Sequence, residues 1–336
     1  MSLAEARRIM AICTACNYCN GFCEMFRAAE RRRDFSDGDL VYLAHLCHNC
    51  GNCLPACQYA PPHAFAVNVP QTLAELRKRS WQDRPWLAAC FVLLSPALAL
   101  CLVPWDVLFA RNAGPGAFYA VLPWPALVAA AALPLAFSLA VSTSSTLRFW
   151  RESGGGSPWR ALPAALEDML TLRNLRGGGI ECELGAARRL CHTVLLAGFA
   201  LCFAATVVAT YYHHVLGWLA PYPMTSLPVL LGTIGGFGMI GGSAGLAWIK
   251  AITDPALDAT PKAYSFLGLL FAVAFTGLAL LFLRDTQAMG LLLAAHLGCV
   301  VGLFATLAYG KFAHAPFRMA ALLRAAMERR RNPSLQ

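Results

Sequence analysis

Six long apolar runs decide what this chain can fold into. They lie near 87–104, 119–141, 191–214, 227–249, 264–283 and 287–310. Each is close to the roughly 20 residues that carry a helix across a bilayer. Inside hydrocarbon every backbone N–H and C=O needs a partner within the protein, so runs of this length dictate helices. Pro96 and Pro134 fall in the first two runs, where a membrane helix accepts a kink. The last two runs are separated only by the turn around Arg284 and Asp285 and read as a hairpin. Of the 336 residues 58% are hydrophobic and 13% charged, and the apolar excess begins at Trp86. The chain therefore divides into a cysteine-rich head (1–85), a six-span transmembrane domain (86–315) with a long connection at 142–190, and a basic tail (316–336).

Charge orients the spans. If the N-terminus faces the cytoplasm, so do seven arginines of the 142–190 connection, Lys250 and Lys262, and six basic residues from Lys311 to Arg331. The opposite side carries only Arg111 and Arg284. That asymmetry obeys the positive-inside rule and accounts for a net charge of +9 without a nucleic-acid partner. The opening MSLAEARRIM has no apolar h-region, so the head is expected to stay in the cytoplasm with both termini, on a bacterial inner membrane.

Eight of the 14 cysteines form two runs of identical spacing, C-T-A-C-N-Y-C-N-G-F-C at 13–23 and C-H-N-C-G-N-C-L-P-A-C at 47–57. Both are C-x₂-C-x₂-C-x₃-C, the spacing of bacterial two-cluster ferredoxins, where the fourth cysteine of each run ligates the other cluster. On that pattern Cys13, Cys16, Cys19 and Cys57 hold one [4Fe–4S] cluster, and Cys47, Cys50, Cys53 and Cys23 hold the other. The usual proline after each run is replaced by Glu24 and Gln58. Paired C-x₂-C knuckles also bind zinc, but two equal runs of four ahead of a membrane domain fit clusters better. The segment between the runs has no strand alternation, which predicts a helical ferredoxin-like head and an all-α protein.

Ionisable residues in membrane spans are costly and mark function. His192 opens the third span and His213 and His214 close it, while His296 lies inside the sixth and His314 just beyond it. Eighteen residues separate His296 from His314, five helical turns or roughly 27 Å; His192 and His213 are roughly 31 Å apart. Two antiparallel helices thus offer histidines at two depths. This is the layout for two bis-histidine b-type haems, His192 with His314 on the inner side and His213 with His296 on the outer side. His214 could replace His213 by helix angle alone. The glycines of the fourth span (Gly232, Gly236, Gly241, Gly245) permit close helix packing, and could also make room for a macrocycle. Cys90, Cys101, Cys191, Cys202 and Cys299 read as apolar packers; Cys182 has no assigned role. No dinucleotide fingerprint or P-loop occurs, so flavin and NAD are not expected on this chain.

With those residues in hand, the chain resembles the tricarballylate/citrate utilisation protein B family (TcuB), and is similar to the C-terminal half of CobZ. The resemblance rests on both cysteine runs and on GGGIEC, ARRLCH, ATYYHHVLGWLAPYPMTSLPVLLGTIGG, AMGLLLAAHLG and YGKFAHAPFR. It favours His213 over His214. Where relatives read two histidines before the third span, this chain has Cys191 and His192. The resemblance implies a partner, a TcuA-like FAD-dependent dehydrogenase that oxidises tricarballylate to cis-aconitate. The membrane protein would reoxidise that flavin and deliver electrons to quinone. Two rivals are an electron-transfer module for CobZ-like oxidative cobalamin synthesis and a membrane redox sensor, for which no output domain is visible.

Overall fold

The computed structural model describes residues 3–80, 84–173, 183–252 and 261–331, and every regular element among them is helical. The head is built from α1 (Leu3–Cys16), α2 (Glu24–Glu30), α3 (Asp37–Leu46) and α4 (Val69–Arg77). Local signals place these helices. Ser36 caps α3 by accepting from the Asp39 amide while Asp39 reaches back to the Ser36 amide, a capping box. Asn68 caps α4 with Pro70 in the first turn. Ile9, Met10, Met25, Leu40, Leu43 and Leu73 close a core between the four helices. The segment joining the two cysteine runs is helical, as its lack of alternation predicts.

The chain continues through α5 (Pro85–Leu102), the short α6 (Trp105–Leu108) and α7 (Ala117–Val121), α8 (Trp124–Glu152), α9 (Leu162–Leu170), α10 (Glu183–His214), α11 (Leu227–Ile252), α12 (Pro261–Leu283) and α13 (Met289–Thr306). Six of these, α5, α8, α10, α11, α12 and α13, are long and apolar enough to cross a membrane. The second span starts at Trp124 rather than 119, because Leu122 and Pro123 break α7 from α8. At the other end α8 runs on to Glu152 and α10 begins at Glu183, so both helices extend past their apolar runs into the 142–190 connection. The glycines at 177–179 and Cys182 lie outside the described residues.

Small residues set the helix spacing. A Cβ on Gly198 of α10 would stand 2.7 Å from Gly235 O of α11, and one on Gly242 would stand 2.7 Å from Leu195 N. On α13, Gly298 lies against Ser95 of α5, whose hydroxyl donates to Ala294 O at 2.8 Å. The fourth-span glycines therefore act in packing; Gly235 and Gly242 meet backbone at 2.7 Å and Gly245 meets Cys191 Sγ at 2.6 Å, whereas Gly232 and Gly241 are not in tight contact. Leu93, Leu133, Phe203 and Phe275 point outward on the apolar flanks.

The basic segment after the last span is a further helix, α14 (His314–Arg331), packed on α2, α3, α8 and α9. Phe317 stacks on His45 of α3 (4.7 Å between ring centres) and meets Phe149 of α8 edge-on. Around this contact Arg31, Arg32, Arg324 and Arg329 face Glu24, Asp39, Asp168 and Glu328. Glu328 accepts from Arg32 at 2.5 Å and Arg324 at 3.1 Å; Arg329 reaches Glu24 at 3.1 Å and Asp168 at 2.6 Å. The head is thereby fixed to the end of the bundle where α8 finishes, α10 begins and α13 ends.

Charges in this network balance, so removing one carboxylate leaves a partly buried excess of guanidinium. Glu328→Ala is expected to cost about 3 kcal/mol, read as earlier urea-induced proteolysis of the head in membranes. Glu75→Ala, which removes an exposed pair with Lys78, should cost under about 1 kcal/mol. Equal effects would show that the network does not anchor the head.

Candidate functional site

The two cysteine runs are bent by residues that tolerate left-handed backbone. Asn17 (φ 55°) follows Cys16, while Asn49 (φ 54°) and Gly51 (φ 82°) flank Cys50; asparagine and glycine adopt this region at least cost. The bends turn the sulfurs inward onto two cavities. One is lined by Cys23, Cys47, Cys50 and Cys53, the other by Cys13, Cys16, Cys19 and Cys57. The grouping is crossed, with the fourth cysteine of each run facing the cavity of the other. Phe26 lines both cavities, which are therefore neighbours. They enclose about 400 and 350 Å³ of atom-free space, part of it open to solvent.

Electrostatics repeats the grouping. Burial pushes the Cys13 thiol up to about 12, helped by Cys57, Cys19 and Cys16. Burial likewise raises Cys23 to about 12, with Cys47 and Cys50 adding to it. Among the described residues no three His, Cys, Asp or Glu side chains converge tightly enough for a single metal ion. A tetrahedral zinc draws four sulfurs to about 2.3 Å from one centre; sulfurs ringing a wider cavity suit the separate irons of a cubane. The Asn49 amide donates to Cys47 Sγ at 3.4 Å and Gln58 Nε2 to Cys16 Sγ at 3.6 Å.

Three arginines from distant parts of the chain grip the second run and His45, two residues before it. Arg77 of α4 donates to Cys47 O at 2.8 Å, Arg188 of α10 to Cys50 O at 2.9 Å, and Arg318 of α14 to His45 O at 2.6 Å. His48 lines the second cavity and lies within electrostatic reach of His192 and His314. Burial holds its imidazole well below the ordinary histidine range. The sequence reading missed both His48 and Arg318. The signal for His48 was its place beside Cys47; nothing local marks Arg318.

Of the four membrane histidines, the structure brings one pair together. The rings of His192 and His314 stand 6.5 Å apart, centre to centre, and nearly perpendicular (88°). A metal with two trans imidazoles at about 2.0 Å separates ring centres by about 6 Å, so the spacing fits one iron between them. His314 Nδ1–H donates to Lys311 O, leaving Nε2 uncommitted. His192 Nδ1 is buried with no hydrogen-bond partner among the described residues, a cost that a bound group would relieve.

The outer pair is not joined by any ring contact among the described residues. His213 sits in the last turn of α10, stacked on Trp124 (4.9 Å, 2°) and bonded through Nδ1 to Tyr119 Oη at 3.3 Å. His214 meets Trp124 only edge-on and is exposed. His296 lies two turns into α13, with Nδ1 3.1 Å from Thr276 Oγ1. That hydroxyl already donates to Ala272 O, so Nδ1 is the donor and Nε2 carries the lone pair. A Cβ on Gly277 would stand 2.9 Å from the His296 ring, so glycine is what lets the imidazole lie against α12.

Comparison with known proteins adds the family. The family model described as Citrate utilization protein B matches residues 78–334, and that described as Citrate utilization protein B Fer4-like domain matches residues 6–83. The chain is 43% identical over 352 aligned positions to Citrate utilization protein B of Escherichia coli, covering 98% of this chain and 93% of that protein. No solved structure matches.

The crossed cavities predict which cysteines act together. Cys57→Ser is expected to damage the same cluster as Cys19→Ser, and Cys23→Ser the same one as Cys50→Ser, read by iron, acid-labile sulfide and EPR after anaerobic purification. If Cys19→Ser and Cys23→Ser abolish the same signal, the grouping is wrong.

Proposed function

Because this chain belongs to the citrate utilization protein B family, we propose that it carries electrons from a partner FAD-dependent dehydrogenase of the TcuA type into the membrane quinone pool. The observation that carries the reading is the alignment of three sites: two cysteine-ringed cavities side by side, and a facing imidazole pair beneath the second. Cys13, Cys16, Cys19 and Cys57 would hold one [4Fe–4S] cluster; Cys23, Cys47, Cys50 and Cys53 would hold the other. His192 and His314 would ligate an inner b-type haem, and His213 and His296, each with Nδ1 engaged by a neighbour, an outer one. When bound, these groups would accept and release electrons singly, so a two-electron flavin donor and a two-electron quinone acceptor would each exchange with them in two one-electron steps.

The chain's own residues do the positioning. Lys311 O fixes the tautomer of His314 and Thr276 that of His296, so each imidazole offers Nε2. Phe22, Met25 and Phe26 wall the second cavity and keep water from the sulfurs. Arg77, Arg188 and Arg318 hold the carbonyls beside that cavity and so fix it to α10 and α14. The charge asymmetry of the connections supports a cytoplasmic head, where a soluble dehydrogenase of tricarballylate or citrate metabolism can dock.

Dithionite-reduced protein is expected to show a b-type α band. His192→Ala and His314→Ala should each remove the same haem, and His213→Ala and His296→Ala the other. Full haem content in all four variants would make the histidines structural. A reporter fused after Gln336 should be active in the cytoplasm, and one inserted in 217–224 only outside; the reverse would put the head out of reach of a cytoplasmic dehydrogenase.

A further inference from the structure

The two cysteine sets differ in their electrostatic surroundings. Arg318 lies within electrostatic reach of Cys23, Cys47 and Cys50, three of the four sulfurs of the second set. Its guanidinium donates to His45 O, and no carboxylate among the described residues forms an ion pair with it. Arg77 and Arg188 bring two further guanidiniums to the carbonyls of Cys47 and Cys50. The direct polar contacts to sulfur are neutral amides in both sets, Asn49 N–H on Cys47 and Gln58 Nε2 on Cys16, so the guanidiniums are what set the second apart. The thiols of Cys13 and Cys19 are perturbed by burial and by other thiols.

Reduction of a cubane adds one negative charge. A cation held close in a poorly solvated site stabilises that charge and raises the reduction potential. From this asymmetry we infer that Arg318 makes the cluster of Cys23, Cys47, Cys50 and Cys53 the higher-potential one, so that electrons run from the first cluster toward the membrane. The inference rests on the two-cluster reading above and adds a direction to it. In the step itself one electron leaves the reduced first cluster, which is oxidised, and enters the second, which is reduced; no bond forms or breaks and no proton moves. The partner flavin supplies the electron and the membrane acceptor removes it.

Position agrees with charge. His48, on the wall of the second cavity, reaches electrostatically to His192 and His314, so the second set is the one beside the bundle. Phe26 belongs to both linings. Arg318 is a positioning residue in this scheme, because it touches backbone rather than cluster.

The test is an anaerobic redox titration followed by EPR on the full-length protein in detergent, with iron and sulfide measured on each sample. In the wild-type protein the higher-potential signal should be the one that Cys23→Ser abolishes, and the lower one that which Cys19→Ser abolishes. Arg318→Gln should lower the higher midpoint alone, by about a tenfold change in the reduced-to-oxidised ratio at fixed potential, or about 59 mV for one electron. Arg318→Lys, which keeps the charge, should restore most of the shift. The inference fails if the higher-potential signal belongs to the Cys19 set, or if Arg318→Gln moves neither midpoint or both equally. Should Arg318→Gln lose iron, the assignment from the two cysteine variants and the Arg318→Lys midpoint still decide it. A wild-type protein without sulfide would instead overturn the two-cluster reading itself.

Discussion

Four guanidiniums set against four carboxylates hold α14 to the head, and the rest of the arrangement depends on that contact. Such charges are expensive to bury singly, so the network is stable only when complete. Its completeness fixes the axis of α14, and with it three side chains of different function. Phe317 fills the head core against His45, Arg318 reaches back to His45 O, and His314 begins the helix with its ring toward His192. One helix therefore couples the packing of the head to the geometry beneath it. Gly38 belongs to the same seam. A Cβ there would stand 2.5 Å from Glu152 O, so the start of α3 can lie on the end of α8 only because the residue is glycine.

The sulfurs depend on this scaffold and are partly built into it. Burial and mutual repulsion push Cys13 and Cys23 up to about 12 and Cys19 to about 11, so without a metal core these thiols keep their protons near neutral pH. Cluster assembly would have to displace those protons, as metal binding by cysteine always does. Ile9, Met10, Leu40, Leu43 and Leu73 form the apolar part of the head core, and Ser36 and Asn68 cap α3 and α4. Cys23, however, stands at the N-cap of α2, and Cys47 closes α3 and belongs to the core, so cluster assembly and head packing share residues.

Features that depend on local spacing were legible in the sequence. Hydropathy located all six spans, because lipid demands continuous apolar helix; the boundaries slipped where a proline or a charged extension decides them, as at Trp124 and Glu183. The cysteine spacing anticipated the crossed grouping around the two cavities. The segment after Lys311 reads as a basic tail because its arginines are counted as solvated charge, whereas three carboxylates distant in sequence, Glu24, Asp39 and Asp168, neutralise much of it together with its own Glu328. Helix arithmetic placed His192 beside His314. The same arithmetic did not bring His213 and His296 into ring contact: one ends its helix, and the other lies two turns inside its own. His48 and Arg318 were not legible, since their roles arise only where α3, α10 and α14 meet.

That meeting has a pattern of its own. On α10, Arg188 and His192 are four residues apart; on α14, His314 and Arg318 are four residues apart. Residues at this spacing share a helix face one turn apart. Each helix therefore presents an imidazole and, one turn closer to the head, a guanidinium. The guanidiniums reach Cys50 O and His45 O, while the imidazoles face each other at 6.5 Å. Holding both rows in register requires that neither helix slide. For α14 the ion network prevents it. For α10 the backbone contacts of Gly198 with Gly235 and of Leu195 with Gly242 do so, because any larger residue at those glycines would push α10 away from α11. Glycine packing in the bilayer and ion pairing at its surface, two interactions of opposite character, thus converge on the same pair of rings.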